Sequence, residues 1–78
     1  MEKTSNKIIE IVKKNLSYSK DINKSNVLED IGIDSLTFIK IIIEIENEFS
    51  FEFEDSAVSL YAFSTMQDLI EYVYKRSN

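Results

Sequence analysis

A single glycine, Gly32, punctuates a chain of 78 residues that contains no proline. Glycine escapes the steric penalty that a Cβ imposes on positive φ, so a lone glycine ahead of a helical pattern marks a chain reversal. Asp34 follows, and its carboxylate can accept hydrogen bonds from the first free N–H groups of a helix. Behind it, from Ser35 to about Phe49, runs the longest apolar pattern of the chain. The order is bend, cap, serine, helix. Ser35 falls in the first turn, where amide donors lack partners within the helix and the positive end of its dipole lies. That environment favours phosphate oxygens, and a serine there is well placed to carry a phosphate-linked group.

The 35–49 segment has a wide apolar arc. At about 100° per residue, Thr37, Lys40, Glu44, Asn47 and Glu48 form one polar stripe. Leu36, Phe38, Ile39, Ile41, Ile42, Ile43, Ile45 and Phe49 occupy the rest, interrupted by Glu46. One neighbouring helix cannot cover so much, so the helix is central or lends part of its apolar surface to a partner. A central position is expected, because a small bundle must bury most of its isoleucine. Three consecutive β-branched residues, Ile41 to Ile43, favour a strand. The length of the pattern and its confined polar stripe decide for helix.

The remaining segments read as further helices and connectors. Ile8, Ile9, Ile11, Val12 and Leu16 recur at helical spacing, with Thr4 or Ser5 as cap and Lys13 and Lys14 at the C-terminal end, which predicts a helix over 4–16. Residues 17–34 form a long loop pinned by Ile22, Val27, Leu28 and Ile31. Asp21, Asn23 and Ser25 imitate the start of a calcium-binding loop. Asn26 stands where that loop needs glycine, and Gly32 where it needs a closing glutamate, so calcium binding is not expected. Ser50-Phe51-Glu52-Phe53-Glu54-Asp55 is an extended connector expected to tuck in Phe53, with Phe51 as a second candidate. A short helix over roughly 56–61 follows, capped by Asp55 or Ser56 and carrying Val58, Leu60 and Tyr61. Ser64-Thr65-Met66-Gln67 fits a capping box for the last helix, whose inner face is Met66, Leu69, Ile70 and Val73. The fold class expected is all-α: one domain over residues 1–78, a small four-helix bundle of three longer helices and one short.

Composition removes several kinds of chemistry. Histidine and cysteine are both absent. Ser-His-Asp triads, Cys-His dyads, His/Cys zinc sites and disulfides therefore cannot form within the chain. An elbow of the G-x-S-x-G type needs glycine where Thr37 stands. Glu44, Glu46 and Glu48 could be paired carboxylates, but on a small helix such residues are more often solvated charge or a docking surface. The net charge of −5 argues against nucleic acid and favours partners with basic surfaces. The polar start Met1–Lys7 and the shortness of every apolar run, Ile41 to Ile43 among them, predict no signal peptide and no membrane span. A cytoplasmic location fits the lack of cysteine.

The segment Leu28-Glu29-Asp30-Ile31-Gly32-Ile33-Asp34-Ser35-Leu36, followed by Ile39, Ile43, Glu46, Glu48 and Phe49, resembles the phosphopantetheine-binding acyl and peptidyl carrier proteins. Phe63-Ser64-Thr65-Met66 is similar to the stretch that opens that family's last helix, and the resemblance runs through nearly the whole chain. It implies that Ser35 accepts 4′-phosphopantetheine from coenzyme A through a phosphodiester, installed by a phosphopantetheinyl transferase. Asp34 would help that enzyme recognise the site. The arm's thiol would hold acyl, aminoacyl or peptidyl cargo as a thioester. Leu36, Thr37, Phe38, Lys40, Ile41, Glu44 and Glu48 would form the partner-docking surface. The partners implied are the transferase, an adenylating ligase or acyltransferase that loads the arm, and condensing or tailoring enzymes. The carrier itself would be a monomer without catalytic activity.

Two features separate the chain from fatty-acid carriers. Their recognition helix is more acidic early on, where Thr37 and Lys40 stand here, and their connector before the last helix is shorter. Both features look more like free-standing carriers of nonribosomal peptide or polyketide assembly. A fatty-acid or lipid carrier and an unmodified helical adaptor are the competing readings.

Overall fold

The computed structural model describes residues 2–16, 21–59 and 62–77. Three α-helices carry it: α1 (Glu2–Leu16), α2 (Ser35–Phe49) and α3 (Met66–Ser77). Short 3-10 turns at Glu29–Ile31 and Asp55–Ala57 interrupt the connections. Among the described residues there is no helix long and apolar enough to cross a membrane. The all-α bundle matches the expectation, but its fourth member is reduced. Where a helix over roughly 56–61 was expected, the described part holds one 3-10 turn, closed by Ala57 N–H to Glu54 O at 2.8 Å and Val58 N–H to Asp55 O at 3.2 Å. The expected Leu60 and Tyr61 lie outside the described residues.

α1 begins earlier than the 4–16 expected, because nothing upstream of Thr4 breaks the helix and Glu2 suits the positive end of its dipole. Ser5 is then not a cap but a buried residue inside the helix, beside Ile8, Ile11 and Val12. α1 packs along both α2 and α3. The central helix is thus α1, not α2, and α2 keeps an apolar face of its own in solvent.

The 21–34 segment is ordered by two devices. Ile22, Leu28, Ile31 and Ile33 bury their side chains in the core. Val27, expected to do so, is 40% exposed. Its backbone instead forms an isolated antiparallel bridge with Thr65. Around that bridge Leu28 donates to Ser64 O at 3.0 Å, Met66 to Asn26 O at 2.9 Å and Gln67 to Lys24 O at 2.9 Å. The amides at the start of α3 are therefore satisfied by a loop distant in sequence. The calcium-like residues are used locally: Asn23 Oδ1 accepts from Ser25 N–H at 3.0 Å, and Asn26 Oδ1 accepts from Asn23 N–H at 2.7 Å.

The capping box of α3 forms one residue later than expected. Thr65 Oγ1 accepts from Asp68 N–H at 3.2 Å, while Asp68 Oδ2 accepts from Ser64 and Thr65 N–H at 3.2 and 3.3 Å. The bridge to Val27 holds Thr65 extended, so the helix starts after it. Gln67 turns away and donates to Glu71 Oε2 at 2.7 Å. The predicted inner face, Met66, Leu69, Ile70 and Val73, is the buried face.

An aromatic cluster closes the bundle between α2, the connector and α3. Phe38 and Phe63 lie 6.2 Å apart, Phe63 and Tyr72 5.4 Å, and Phe53 stacks on Tyr72 at 5.1 Å. Arg76 covers the outer face of Tyr72 and pairs with Glu54, whose amide donates to the Tyr72 hydroxyl at 3.1 Å.

Candidate functional site

The turn into α2 is built by backbone requirements before any side chain acts. The Glu29–Ile31 turn ends on Gly32, whose φ of 92° lies in the left-handed region. A Cβ added there would meet nothing within 4 Å, so glycine is required for conformation and not for space. Ile33 then buries its side chain and anchors the chain immediately before the cap.

Asp34 is the N-cap of α2. Its extended backbone turns the chain, and its Oδ1 accepts from Thr37 N–H at 2.8 Å. That bond to the Thr37 amide holds the Asp34 carboxyl below its ordinary value of 3.8. Phe38 N–H takes Asp34 O at 2.9 Å, the first regular bond of the helix. The amides of Ser35 and Leu36 find no acceptor among the described residues. Ser35 is exposed at this open helix start. A hydroxyl there can be esterified, and a phosphodiester formed on it would lie close to two free donors at the positive end of the dipole. The residues fit a covalently held phosphopantetheine.

The remaining predicted docking residues do not share one surface. Leu36, next to Ser35 in the chain, is 69% exposed, and Lys40 is exposed one turn further along α2. Thr37 is half-buried and contributes its amide to the cap. Phe38 and Ile41, expected on the docking face, are 1% and 0% exposed. Together with Ile42 and Ile45 they form the core side of α2. Ile39 and Ile43, which the docking set left out and a central helix would bury, are the exposed isoleucines instead, at 36% and 51%. Leu36, Ile39 and Ile43 recur at i, i+3 and i+7, a helical stripe separate from the Phe38, Ile41, Ile42 and Ile45 set. That spacing was present in the sequence, but a wide apolar arc broken only at Glu46 concealed that it held two faces.

The carboxylates of α2 turn to three different partners. Glu44 meets Lys14 Nζ at 2.7 Å and accepts from Asn15 Nδ2 at 3.0 Å. Those hydrogen bonds hold the Glu44 carboxyl below its ordinary value, and the bond to Glu44 raises the pKa of the Lys14 ammonium. Glu48 pairs with Lys7 at 3.8 Å. These two residues line an open charged cleft with Lys7, Lys14 and Asn47, on the α1 side of α2. Glu46 Oε2 accepts from Phe53 N–H at 2.8 Å and secures the connector. No two of them are joined as a carboxylate pair for acid–base chemistry.

Comparison with known proteins agrees with this geometry. The family model described as "Phosphopantetheine attachment site" matches residues 6–73. An acyl carrier protein of Phytoplasma mali is 38% identical over 69 residues, 86% of this chain and 80% of that protein. A non-reducing polyketide synthase of Talaromyces marneffei is 36% identical over 73 residues, 92% of this chain but 4% of the synthase. The crystal structure of an acyl carrier protein from Thermotoga maritima superposes with a TM-score of 0.79 at 25% identity, over 96% of this chain and 87% of that one. The family's cofactor is 4′-phosphopantetheine, attached covalently, and its members carry acyl groups without catalysing their reactions. With a match spanning all three helices, the chain belongs to the phosphopantetheine-binding carrier protein family.

Proposed function

We propose that Ser35 is the residue that carries the arm, and that the chain works as a free-standing monomeric carrier in the cytoplasm. One observation carries this reading: Ser35 is exposed one residue after the Asp34 cap, at a helix start with open amides. Its Oγ is free to form the phosphodiester when a phosphopantetheinyl transferase presents coenzyme A. Asp34 orients that hydroxyl indirectly, by fixing where α2 begins. Once attached, the arm supplies a thiol that holds cargo as a thioester. With no cysteine in the chain, cargo cannot migrate from the arm to the carrier's own side chains as a thioester. Leu36 and Lys40, joined by Ile39 and Ile43, are the residues we assign to partner docking.

The cargo we infer is an acyl, aminoacyl or peptidyl intermediate of polyketide or nonribosomal peptide assembly. It would be loaded by an acyltransferase or adenylating ligase and passed to condensing or tailoring enzymes. The Thr37 and Lys40 positions at the start of α2 and the likeness to a polyketide synthase segment support this pathway. The likeness to discrete acyl carrier proteins favours a second reading, a carrier for fatty-acid or lipid synthesis. The loading enzyme decides between them. An amino acid or starter acyl group accepted from a ligase or acyltransferase of a peptide or polyketide system supports the first; acceptance only from fatty-acid enzymes supports the second.

The carrier role has a direct test. Incubation with coenzyme A and a broad-specificity transferase is expected to raise the intact mass by about 340 Da, one phosphopantetheine. Ser35→Ala is expected to abolish the gain. An equal gain in that variant removes Ser35 from the role, and no gain in the wild-type chain leaves an unmodified adaptor.

A further inference from the structure

We infer that Lys40 is an acceptor for the chain's own cargo: its amine takes the acyl group from the thioester on the Ser35 arm and keeps it as an amide. This rests on the reading that Ser35 carries the arm. It adds a modification site on α2, and with it a limit on how long a loaded carrier lasts between partners.

The chain offers a thioester few nucleophiles. With no cysteine and no histidine, neither a thiol nor an imidazole can attack the carbonyl. Hydroxyls are weak nucleophiles without a base beside them, which leaves the lysine amines. Lys7, Lys13 and Lys14 are held in ion pairs by Glu10, Glu48, Asp21 and Glu44. Pairing favours the charged ammonium, as the hydrogen bond to Glu44 does at Lys14, and an ammonium cannot attack. Lys40 is exposed, and its amine makes no ion pair among the described residues. Lys3, Lys24 and Lys75 are likewise without ion pairs there, but they lie outside α2.

Position singles out Lys40. It follows Ser35 by five residues on the same helix, which puts the two α-carbons about 9 Å apart. Helical side chains lean toward the N-terminus, so the lysine stem points back toward the turn that holds Ser35. The Asp34 carboxyl, lowered chiefly by its hydrogen bonds to Thr37, is lowered further by the Lys40 charge. The amine is thus close enough to be felt at the residue next to the attachment hydroxyl.

The arm can reach it. Its sulfur stands about fourteen bonds from Ser35 Oγ, a span of up to roughly 17 Å when extended. Lys40 falls inside that radius, whereas the molecule measures 30 × 25 × 19 Å. A short flexible tether holds its end at an effective concentration on the order of millimolar. At about 10 µM carrier, the arm meets the Lys40 of another molecule roughly a hundredfold less often than its own.

The step balances without a further reagent. The free-base Nζ of Lys40 attacks the thioester carbonyl carbon, a C–N bond forms and the C–S bond breaks. The sulfur leaves as a thiolate, and the proton lost by nitrogen returns to it through solvent. The products are an Nε-acylated Lys40 and a free arm that can be loaded again. A partner docked on α2 would mask the amine, so the step belongs to the undocked, loaded carrier.

The test uses carrier given an acetyl arm by a broad-specificity transferase and acetyl-coenzyme A, then purified away from both. It is held at about pH 8.5, where more lysine is free base than at neutrality, and sampled over time. Hydroxylamine then cleaves thioesters and spares amides. Intact mass is expected to show a surviving acetyl group of about 42 Da, and peptide mapping to place it on Lys40. The first-order rate constant is expected to stay within about twofold on roughly tenfold dilution, because the donor and acceptor are one molecule. Lys40→Arg keeps the charge but offers no free-base amine, and is expected to slow amide formation about tenfold or more. Lys24→Arg, at an unpaired lysine outside α2, is expected to leave it within about twofold.

A surviving acetyl group on another lysine, or a Lys40→Arg rate equal to wild type, overturns the inference while arm attachment to Ser35 stands. So does a rate constant that falls in proportion to dilution, or loss of the acetyl group only as free acetate. A wild-type chain that gains no arm, or an equal gain after Ser35→Ala, removes the reading of Ser35, and the inference goes with it.

Discussion

Glu44 of α2 and Lys14 of α1 meet at 2.7 Å, and Asn15 Nδ2 donates to the other oxygen of the same carboxylate at 3.0 Å. One side chain thus ties the middle of α2 to the end of α1, and Asn15 is itself held by donating to Ile11 O at 2.9 Å. The contact is consistent with the rotation of α2 that its buried face, Phe38, Ile41, Ile42 and Ile45, requires. In the same arrangement Glu44 faces α1 and the Leu36, Ile39 and Ile43 stripe lies on the solvent side.

This pair makes the stability of the bundle depend on pH in a defined direction. The folded state lowers the Glu44 pKa, so its contribution is fully present above the ordinary value of 4.5 and is lost as pH falls through the lower folded value. The folded state raises the Lys14 pKa, so the lysine's share persists below 10.5 and is lost only as pH rises through a still higher value. Because the pair is partly exposed, Glu44→Gln is expected to cost no more than about 1 kcal/mol. Urea unfolding at neutral pH and at pH near 3 checks this: the gap between wild type and variant shrinks on acidification. A constant gap assigns the role of Glu44 to packing instead.

The cap of α2 follows the same sign. Accepting the Thr37 amide lowers the Asp34 pKa, so the cap is fully effective above 3.8 and is lost as pH falls through the lower folded value. Asp34→Ala is expected to lower the melting temperature. Asp34→Asn is expected to restore most of the loss at neutral pH, because an amide oxygen caps nearly as well as a carboxylate. Thermal melts followed by circular dichroism compare the three proteins. If Asn fails to rescue, the charge matters more than the hydrogen bond.

The two apolar faces of α2 differ sharply in their expected cost of truncation. Phe38 is 1% exposed and packs near Phe63, so Phe38→Ala is expected to destabilise by about 3–5 kcal/mol and leave much of so small a domain unfolded. Leu36→Ala is expected to stay within about 0.5 kcal/mol of wild type. Chemical denaturation of both variants measures this. Similar values for the two would contradict the assignment of faces.

The backbone position that opens α2 is equally specific. Gly32 adopts φ 92° with nothing crowding its α-carbon. Gly32→Ala is therefore expected to cost about 1–2 kcal/mol from backbone conformation alone. Gly32→Asn is expected to cost less, because asparagine tolerates the left-handed region better. Urea midpoints of the two variants test the order.

Much of the site could be read from the residues alone, because its determinants are local. A lone glycine, a capping aspartate and a helical period all act within a turn or two of the chain, and they located α2 at Ser35–Phe49 and its cap at Asp34. The inner face of α3 was legible for the same reason, since its apolar residues form one narrow stripe. Tertiary packing decided the rest. α2 carries two apolar arcs of similar composition, and only contact with α1 and the aromatic cluster selects Phe38 and Ile41 for the interior and leaves Ile39 and Ile43 outside. The Thr65–Asp68 register of the last cap depends likewise on a bridge to Val27, far away in sequence. Short-range hydrogen bonding and φ preference determine where a helix begins; the free energy of burying one face rather than another exists only once distant segments meet.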